Sequence, residues 1–284
     1  MSTTAVVLAH EVDITQVTLA EPKVNKAGGK GVQLKYAGQP FQLRAPRTKF
    51  PAGLITREDQ ATGNVSYSLI ASLKGCDPFA KERSEDPEMG PLYNFMLDLQ
   101  EMLVTWAAEN SSKLFGKKRS TESIRDSFKN LLSVSTDKQG DEYVPNGKYP
   151  PSLRLKVPVY DGRVTMDAVN GSMVPYHLTE DSLKAVFPKY VEANLVIAPS
   201  IYVIGQGFGV TWAVKFAQVF QPSRLTAASV FTAVADPLPA VPEGEAEAPL
   251  PEDDGVRAPH VAHLPVQEAQ SSGGGAGRRR RAAP

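Results

Sequence analysis

The chain has 284 residues, 42% of them hydrophobic, and its 31 basic and 31 acidic side chains cancel to a formal net charge of zero. That apolar share supports a packed core, while a single cysteine, Cys76, excludes an internal disulfide and a multi-cysteine zinc site. No apolar run approaches the ~18–20 residues of a membrane span, the N-terminus lacks the basic-then-apolar order of a signal peptide, and the lone cysteine fits a reducing, intracellular compartment.

The charge is unevenly placed. Residues 236–284 hold five Arg against eight Asp and Glu, a net of −3, which leaves residues 1–235 at +3. The apolar positions stop near Val234, and the Ala-, Pro-, Glu- and Gly-rich remainder cannot bury enough surface to offset chain entropy. The expected organisation is a loosely held segment 1–11, one domain over 12–235, and a disordered acidic and Pro-rich tail over 236–284. Such a tail either keeps the protein soluble or competes with an anionic ligand for the basic body. Its terminal run Arg278–Arg281 reads as a nuclear import signal, a nonspecific nucleic-acid anchor, or a solvated end.

In chain order, Val12–Leu19 alternates as a first strand. The glycine-basic turn Asn25–Gly31 leads to a hairpin of Val32–Tyr36 and Phe41–Ala45 around Ala37-Gly38-Gln39-Pro40. Ala45–Leu54 reads as a proline-bounded loop carrying Arg47 and Lys49. Asn64–Lys74 alternates again, with Tyr67, Leu69, Ala71 and Leu73 on one face. The period then changes: apolar residues at 92, 95, 96, 99, 103, 106 and 107 predict a helix of four to five turns, with Pro91 in its first turn. A second helix begins at Ser120 as N-cap, with Ile124, Phe128, Leu131 and Leu132 as its buried stripe.

Strands resume after the turn Val144–Gly147. Leu153, Leu155 and Val157 alternate with Arg154 and Lys156, and Arg163–Val169 pairs back through Asp161-Gly162. A short helical turn is expected at Ser182–Phe187. Val191–Ile204 and Phe208–Phe220 then form a long hairpin around Gly205-Gln206-Gly207. In its second strand Phe208, Val210, Trp212, Val214 and Phe216 recur every second residue. They form either the core face of a barrel strand or the border of a groove where bases stack on rings.

Short alternating strands interrupted by helices predict a mainly β, α+β fold: an OB-fold-like antiparallel β-barrel with two helices inserted between strands. The helical insert follows the third strand if the hairpin at Val32–Ala45 supplies the first two.

Enzyme motifs fail on spacing. GQGFG at Gly205–Gly209 leads into a strand rather than a helix and lacks a dinucleotide loop's third glycine. FGKKRS at Phe115–Ser120 lacks the upstream glycine of a phosphate-binding loop. His260 and His263 have a spacing that suits a metal on a helix, but Pro259 and Pro265 argue against a helix there. Asp98 and Glu101 fall on a solvated helix face rather than forming an acid/base pair. No catalytic, metal or cofactor site is expected.

What remains is a binding constellation. Lys35, Arg44, Arg154, Lys156 and Lys215 alternate outward on strands, and loops add Arg47, Lys49, Lys117, Lys118, Arg119 and Lys148. Tyr36 and Tyr149 border turns beside these cations, whereas Trp212 reads as core. Cations neutralise phosphates and rings stack on unpaired bases.

Three blocks carry a resemblance: ENSSKLFGKKRSTESI (Glu109–Ile124), GKYPPSLRLKVP (Gly147–Pro158) and FGVTWAVKFAQVFQPSRL (Phe208–Leu225). Together they resemble a family of single-stranded DNA-binding proteins of large DNA viruses of algae and amoebae. That family is itself similar to the OB-fold single-stranded DNA-binding proteins of short-tailed phages. The resemblance covers roughly Ile14 to Leu225. It implies an OB-fold, single-stranded DNA binding in replication and recombination, and an acidic tail that contacts replication proteins. The setting it implies is a host nucleus, a viral replication compartment or the virion. The chain departs from the phage pattern: its acidic run Glu243–Asp254 is internal, no aromatic follows Phe231, and the end is four arginines. The alternative from another class is a virion structural or internal scaffold protein that uses the same β-body for protein contacts.

Overall fold

Alternation of apolar and polar residues builds the sheet, and the places where that alternation slips decide which side chains face out. In the computed structural model the described residues are 5–25 and 28–222. The chain divides into two units, Met1–Leu225 and Thr226–Pro284, and the expected tail with its acidic and arginine runs and His260 and His263 lies outside the described residues.

Five strands carry the architecture: β1 (Gln39–Phe50), β2 (Val65–Ser72), β3 (Ser152–Val157), β4 (Val191–Ile204) and β5 (Gly207–Phe220). β1 meets β2 antiparallel at Lys49 and Ser72, and β2 runs antiparallel to β3. β3 lies parallel to β5, with Leu155 opposite Trp212. β5 returns antiparallel to β4, and β4 runs antiparallel to β1. The pairings therefore come back to their starting strand. Leu43, Phe50, Leu69, Leu155, Ile197, Trp212 and Val214 are all buried between them. Trp212 is 1% exposed and packs edge-on to Phe41 at 6.5 Å, so its reading as core holds.

The helices are α1 (Gly90–Glu109), α2 (Ser111–Phe115), α3 (Thr121–Ser127) and the single turn α4 (Leu183–Val186). α1 buries Leu92, Phe95, Met96, Leu99 and Leu103, and Phe95 meets Phe41 edge-on at 5.8 Å. Asp86 prepares the start of α1: its carboxylate accepts from the amides of Glu88 and Met89 at 3.0 and 2.7 Å. Ser120 caps α3 by accepting from the Ser123 amide at 3.3 Å. α3 is shorter than the apolar stripe predicts. After Ser127 the chain extends, and Phe128–Lys129 and Leu132–Ser133 join the sheet beside β5 and β3. Their β-pairing overrides the helical spacing of Phe128, Leu131 and Leu132.

The helical insert α1–α3 falls between β2 and β3, the second and third of the five strands, not after the third. The reason is that Leu34–Tyr36 lies outside the cycle, in a hairpin on the first two residues of β1. That hairpin turns through Ala37 (φ 46°) and Gly38 (φ 79°), both left-handed as a two-residue type I′ turn requires. One further expectation is corrected. Ala5–Leu8, inside the segment expected to be loosely held, pairs parallel with Phe41–Arg44. Ahead of the expected turn at Val144–Gly147, residues for which the sequence suggests no element form a two-stranded ribbon, Thr136–Gln139 against Glu142–Pro145, whose eight residues are all exposed.

Two slips in register re-aim side chains. On β1, Ala45 and Thr48 face Leu195 and Ala193, so Pro46 and Arg47 together stand opposite Asn194. Ala45–Phe50 is thus strand rather than loop, and the bulge accommodates a proline that has no amide to donate. On β5, Val214 pairs with Ile197 and Phe216 with Val196, which leaves Lys215 as the extra residue. Beyond it the parity inverts: Ala217 and Val219 are buried, and Phe216 is 47% exposed. Phe216 therefore leaves the apolar face on which its spacing from Trp212 had placed it.

Candidate nucleic-acid interface

The two bulges put cations and rings on one outer surface. Reading across the strands, Lys49 stands opposite Glu192 and Glu192 opposite Phe220; Arg44 stands opposite Val196 and Val196 opposite Phe216. Arg47, set free by the β1 bulge, reaches over the Phe220 ring with its guanidinium carbon 3.9 Å from the centroid, and its Nε donates to Glu192 Oε2 at 2.8 Å. Lys49 Nζ lies 5.6 Å from the centroid of the Tyr190 ring. Two cation–ring pairs thus stand side by side, each of a kind that attracts electrostatically through the ring quadrupole.

Beside them opens a cleft of about 1120 Å³. Its walls include Arg44, Arg47, Lys49 and Lys74, the carboxylates Asp86, Glu88 and Glu192, and Ser72 and Pro150 at the adjoining ends of β2 and β3. These four cations outnumber the three carboxylates by one, and two of the carboxylates are already engaged. Glu192 is held by Arg47 and Asp86 by the two amides ahead of α1. Arg44, Lys49 and Lys74 form no ion pair among the described residues. Three cations remain free to meet an anionic ligand.

The other expected residues distribute as follows. Lys148 and Tyr149 adjoin Pro150 at the far end of the cleft; Tyr149 is exposed, and Lys148 Nζ lies 5.6 Å from its ring. Arg154 is exposed on β3 and donates to Ser68 Oγ at 3.2 Å, while Lys156 stands 5.1 Å from the exposed Tyr160 ring. Lys215 is half-buried at the β5 bulge, next to Phe216. Lys35 is half-buried in the hairpin outside the cycle, opposite Thr18 and Pro40. Lys117 and Lys118 are exposed and make no ion pair among the described residues.

Two expected residues serve the fold instead. Tyr36 is buried, stacked on Phe41 at 5.5 Å, and its hydroxyl accepts from the Asp13 amide at 3.2 Å, so its ring offers no free face. Arg119 donates to the Ser123 carbonyl at 2.6 Å and the Gln206 carbonyl at 2.8 Å, and covers the Phe115 ring at 4.9 Å. It ties the basic loop to the β4–β5 turn rather than waiting for a phosphate.

Tyr190, Phe216, Phe220, Lys74 and Tyr160 belong to the surface and escaped the sequence reading. Phe216 carried one usable signal: Ala217 and Val219, with Gln218 between them, form a small apolar alternation out of phase with Trp212 and Val214.

The perturbed acids are structural. The Arg125 guanidinium, which bonds both oxygens of Glu101, lowers the Glu101 carboxyl; burial acts to raise Asp77, but the amides of Glu82, Lys81 and Phe79 together outweigh it and lower that carboxyl. Among the described residues no cluster of three or more His, Cys, Asp or Glu side chains is placed to hold a metal, and no helix is long and apolar enough to cross a membrane.

No family model matches the chain, and no curated protein does. Among solved structures it is similar to gp2.5, a single-stranded DNA-binding protein encoded by bacteriophage T7. Identity there is 10%, coverage is 71% of this chain and 98% of that one, and the TM-score is 0.37. It is similar also to the single-stranded DNA-binding protein from bacteriophage Enc34 in complex with ssDNA, at 10% identity, with 72% of this chain and 92% of that one covered and a TM-score of 0.36. At such scores what those proteins bind does not transfer to this chain.

Proposed function

We propose that this protein binds single-stranded DNA without strong sequence preference, along the cleft and the outer face of β1, β4 and β5. One observation carries the reading: three cations that form no ion pair among the described residues share one surface with two exposed rings, Tyr190 and Phe216, beside the half-exposed Phe220 that Arg47 covers. Free cations supply phosphate attraction that depends on charge alone. Rings in the open supply stacking that every base satisfies, provided the base is unpaired. Duplex DNA presents the phosphates but hides the base faces, so the combination favours single strands. The path runs from Phe216 and the Arg47–Phe220 pair, past Lys49 and Lys74, to Pro150 and the Lys148–Tyr149 pair.

In this reading the five paired strands are an OB-fold barrel, sealed by its parallel β3–β5 pair, the framework on which oligonucleotide sites of this kind are built. Arg154 and Lys156 on β3 extend the basic surface. The role is that of a coat for displaced strands in replication or recombination of a viral genome, an extension that rests on the sequence resemblance. The test is fluorescence titration of the full chain with labelled oligo-dT and with duplex of equal length. Tighter binding of the single strand is the expected result; equal affinity for duplex would overturn the proposal.

A further inference from the structure

Among the described residues Tyr190 is the only aromatic with a left-handed backbone, at φ +63°. A bulky residue gains nothing from that conformation, which glycine or asparagine adopts at far lower cost. Core packing does not account for it, because Tyr190 is 59% exposed. The conformation is enforced from both sides. The Tyr190 amide donates to the carbonyls of Phe50 at 3.0 Å and Pro51 at 3.3 Å. The loop that offers them is pressed against residues 187–188: a Cβ on Gly53 would stand 2.6 Å from the Pro188 carbonyl carbon, and the Leu54 amide donates to the Phe187 carbonyl at 2.9 Å. The result of this bracing is an exposed ring fixed beside Lys49 at the edge of the basic surface.

Strain that persists at an exposed position, held by surroundings that over-determine it, points to what the side chain does rather than to what the fold needs. We propose that Tyr190 is a stacking platform for an unpaired base whose adjoining phosphate meets Lys49, and that its left-handed backbone is strain retained to aim the ring. This rests on the reading of the surface as a single-strand site. It adds a consequence that the reading lacks: at position 190, stability and affinity pull in opposite directions.

The test compares Tyr190→Gly and Tyr190→Phe with the unmodified full chain by thermal melting and by oligo-dT titration. Glycine removes both the ring and the strain. The melting temperature should hold or rise by about 2–4 °C, while affinity falls about 5- to 150-fold, the worth of one stacked base. Phenylalanine keeps ring and strain and should match the unmodified chain in both measurements. Full affinity in Tyr190→Gly overturns the platform and leaves the single-strand site standing. A lower melting temperature in Tyr190→Gly shows that the ring supports the fold and overturns the strain argument. Loss of affinity in Tyr190→Phe assigns the contact to the hydroxyl and overturns stacking. An unmodified chain that does not bind oligo-dT overturns the site and the platform together.

Discussion

Replacing Arg44 and Lys49 together by alanine asks whether the free cations of the cleft meet phosphates. Both are exposed, neither has an ion-pair partner among the described residues, and both stand in β1 with their backbones held by β4. The double variant should therefore fold like the parent. For single strands each neutralised phosphate adds about 0.7 to the steepness of log K against log salt. Arg44, Lys49 and Lys74 give a slope of about −2.1, since Arg47 is already neutralised by Glu192 and is left out of the count. A fourfold rise in salt then costs about 18-fold in affinity for the parent cleft but about threefold for the double variant, which keeps only Lys74. Further contacts at Lys148 or Arg154 steepen both lines equally, so the difference of about 1.4 in slope is the number to measure. The assay is oligo-dT anisotropy across a salt series, with a thermal melt of each protein. An unchanged slope would refute the reasoning, because it would show that these side chains face water in the complex. A shallower slope accompanied by a lower melting temperature would refute it too, because the loss would then come from the fold.

Three further outcomes are expected. Trp212→Ala should destabilise by about 3–5 kcal/mol in chemical denaturation, as truncation of a large buried ring does; an intact fold that no longer binds would make Trp212 part of the interface. Arg119→Ala should cost about 1.5–3 kcal/mol, since it removes charge-assisted bonds to two carbonyls, whereas Lys117→Ala with Lys118→Ala should leave the melting temperature alone; equal effects would contradict the split between Arg119 and its neighbours. Tyr67 and Tyr93 are both raised to about 12, Tyr67 by its hydrogen bond to Glu180 and Tyr93 by burial. A value raised above the ordinary 10 means that this stabilisation is complete below pH 10 and lost as pH climbs toward 12. Denaturation midpoints should fall over that window, and a phenolate absorbance titration in which every tyrosine ionises near 10 would contradict it.

The long-range order of strands was legible because each long strand announces itself by alternation: Val65–Ser72, Ser152–Val157 and the Val191–Phe220 hairpin stand close to where the apolar period puts them. The interface was half legible. Arg44 could be found because a charged residue between apolar neighbours must face out, and Arg47 and Lys49 because the prolines around them mark an exposed segment. The rings that complete it could not be found in the same way. Phe216 is turned out by a one-residue bulge that no local composition marks, and Tyr190 is aimed by hydrogen bonds from a loop some 140 positions earlier in the chain. Tyr36 fails for the opposite reason: a turn-bordering tyrosine beside a lysine looks exposed until Phe41 folds back over it. The ribbon at Thr136–Pro145 went unseen because both its faces are polar and leave no period to read.

The return of β4 to β1 also sets a timetable. Leu43 and Ile197, about 150 positions apart, must meet before the cycle of pairings is complete, and pairings at that separation form late and slowly. β5, the last of the five strands to leave the ribosome, makes the parallel contact with β3 as well. Until Phe220 is outside the exit tunnel, β3 and β4 each keep an unpaired edge of the kind that recruits other chains. A nascent chain of this protein therefore spends most of its synthesis with its central strands unprotected, and a chain cut within β5 is expected to appear as aggregate rather than as a shorter soluble domain.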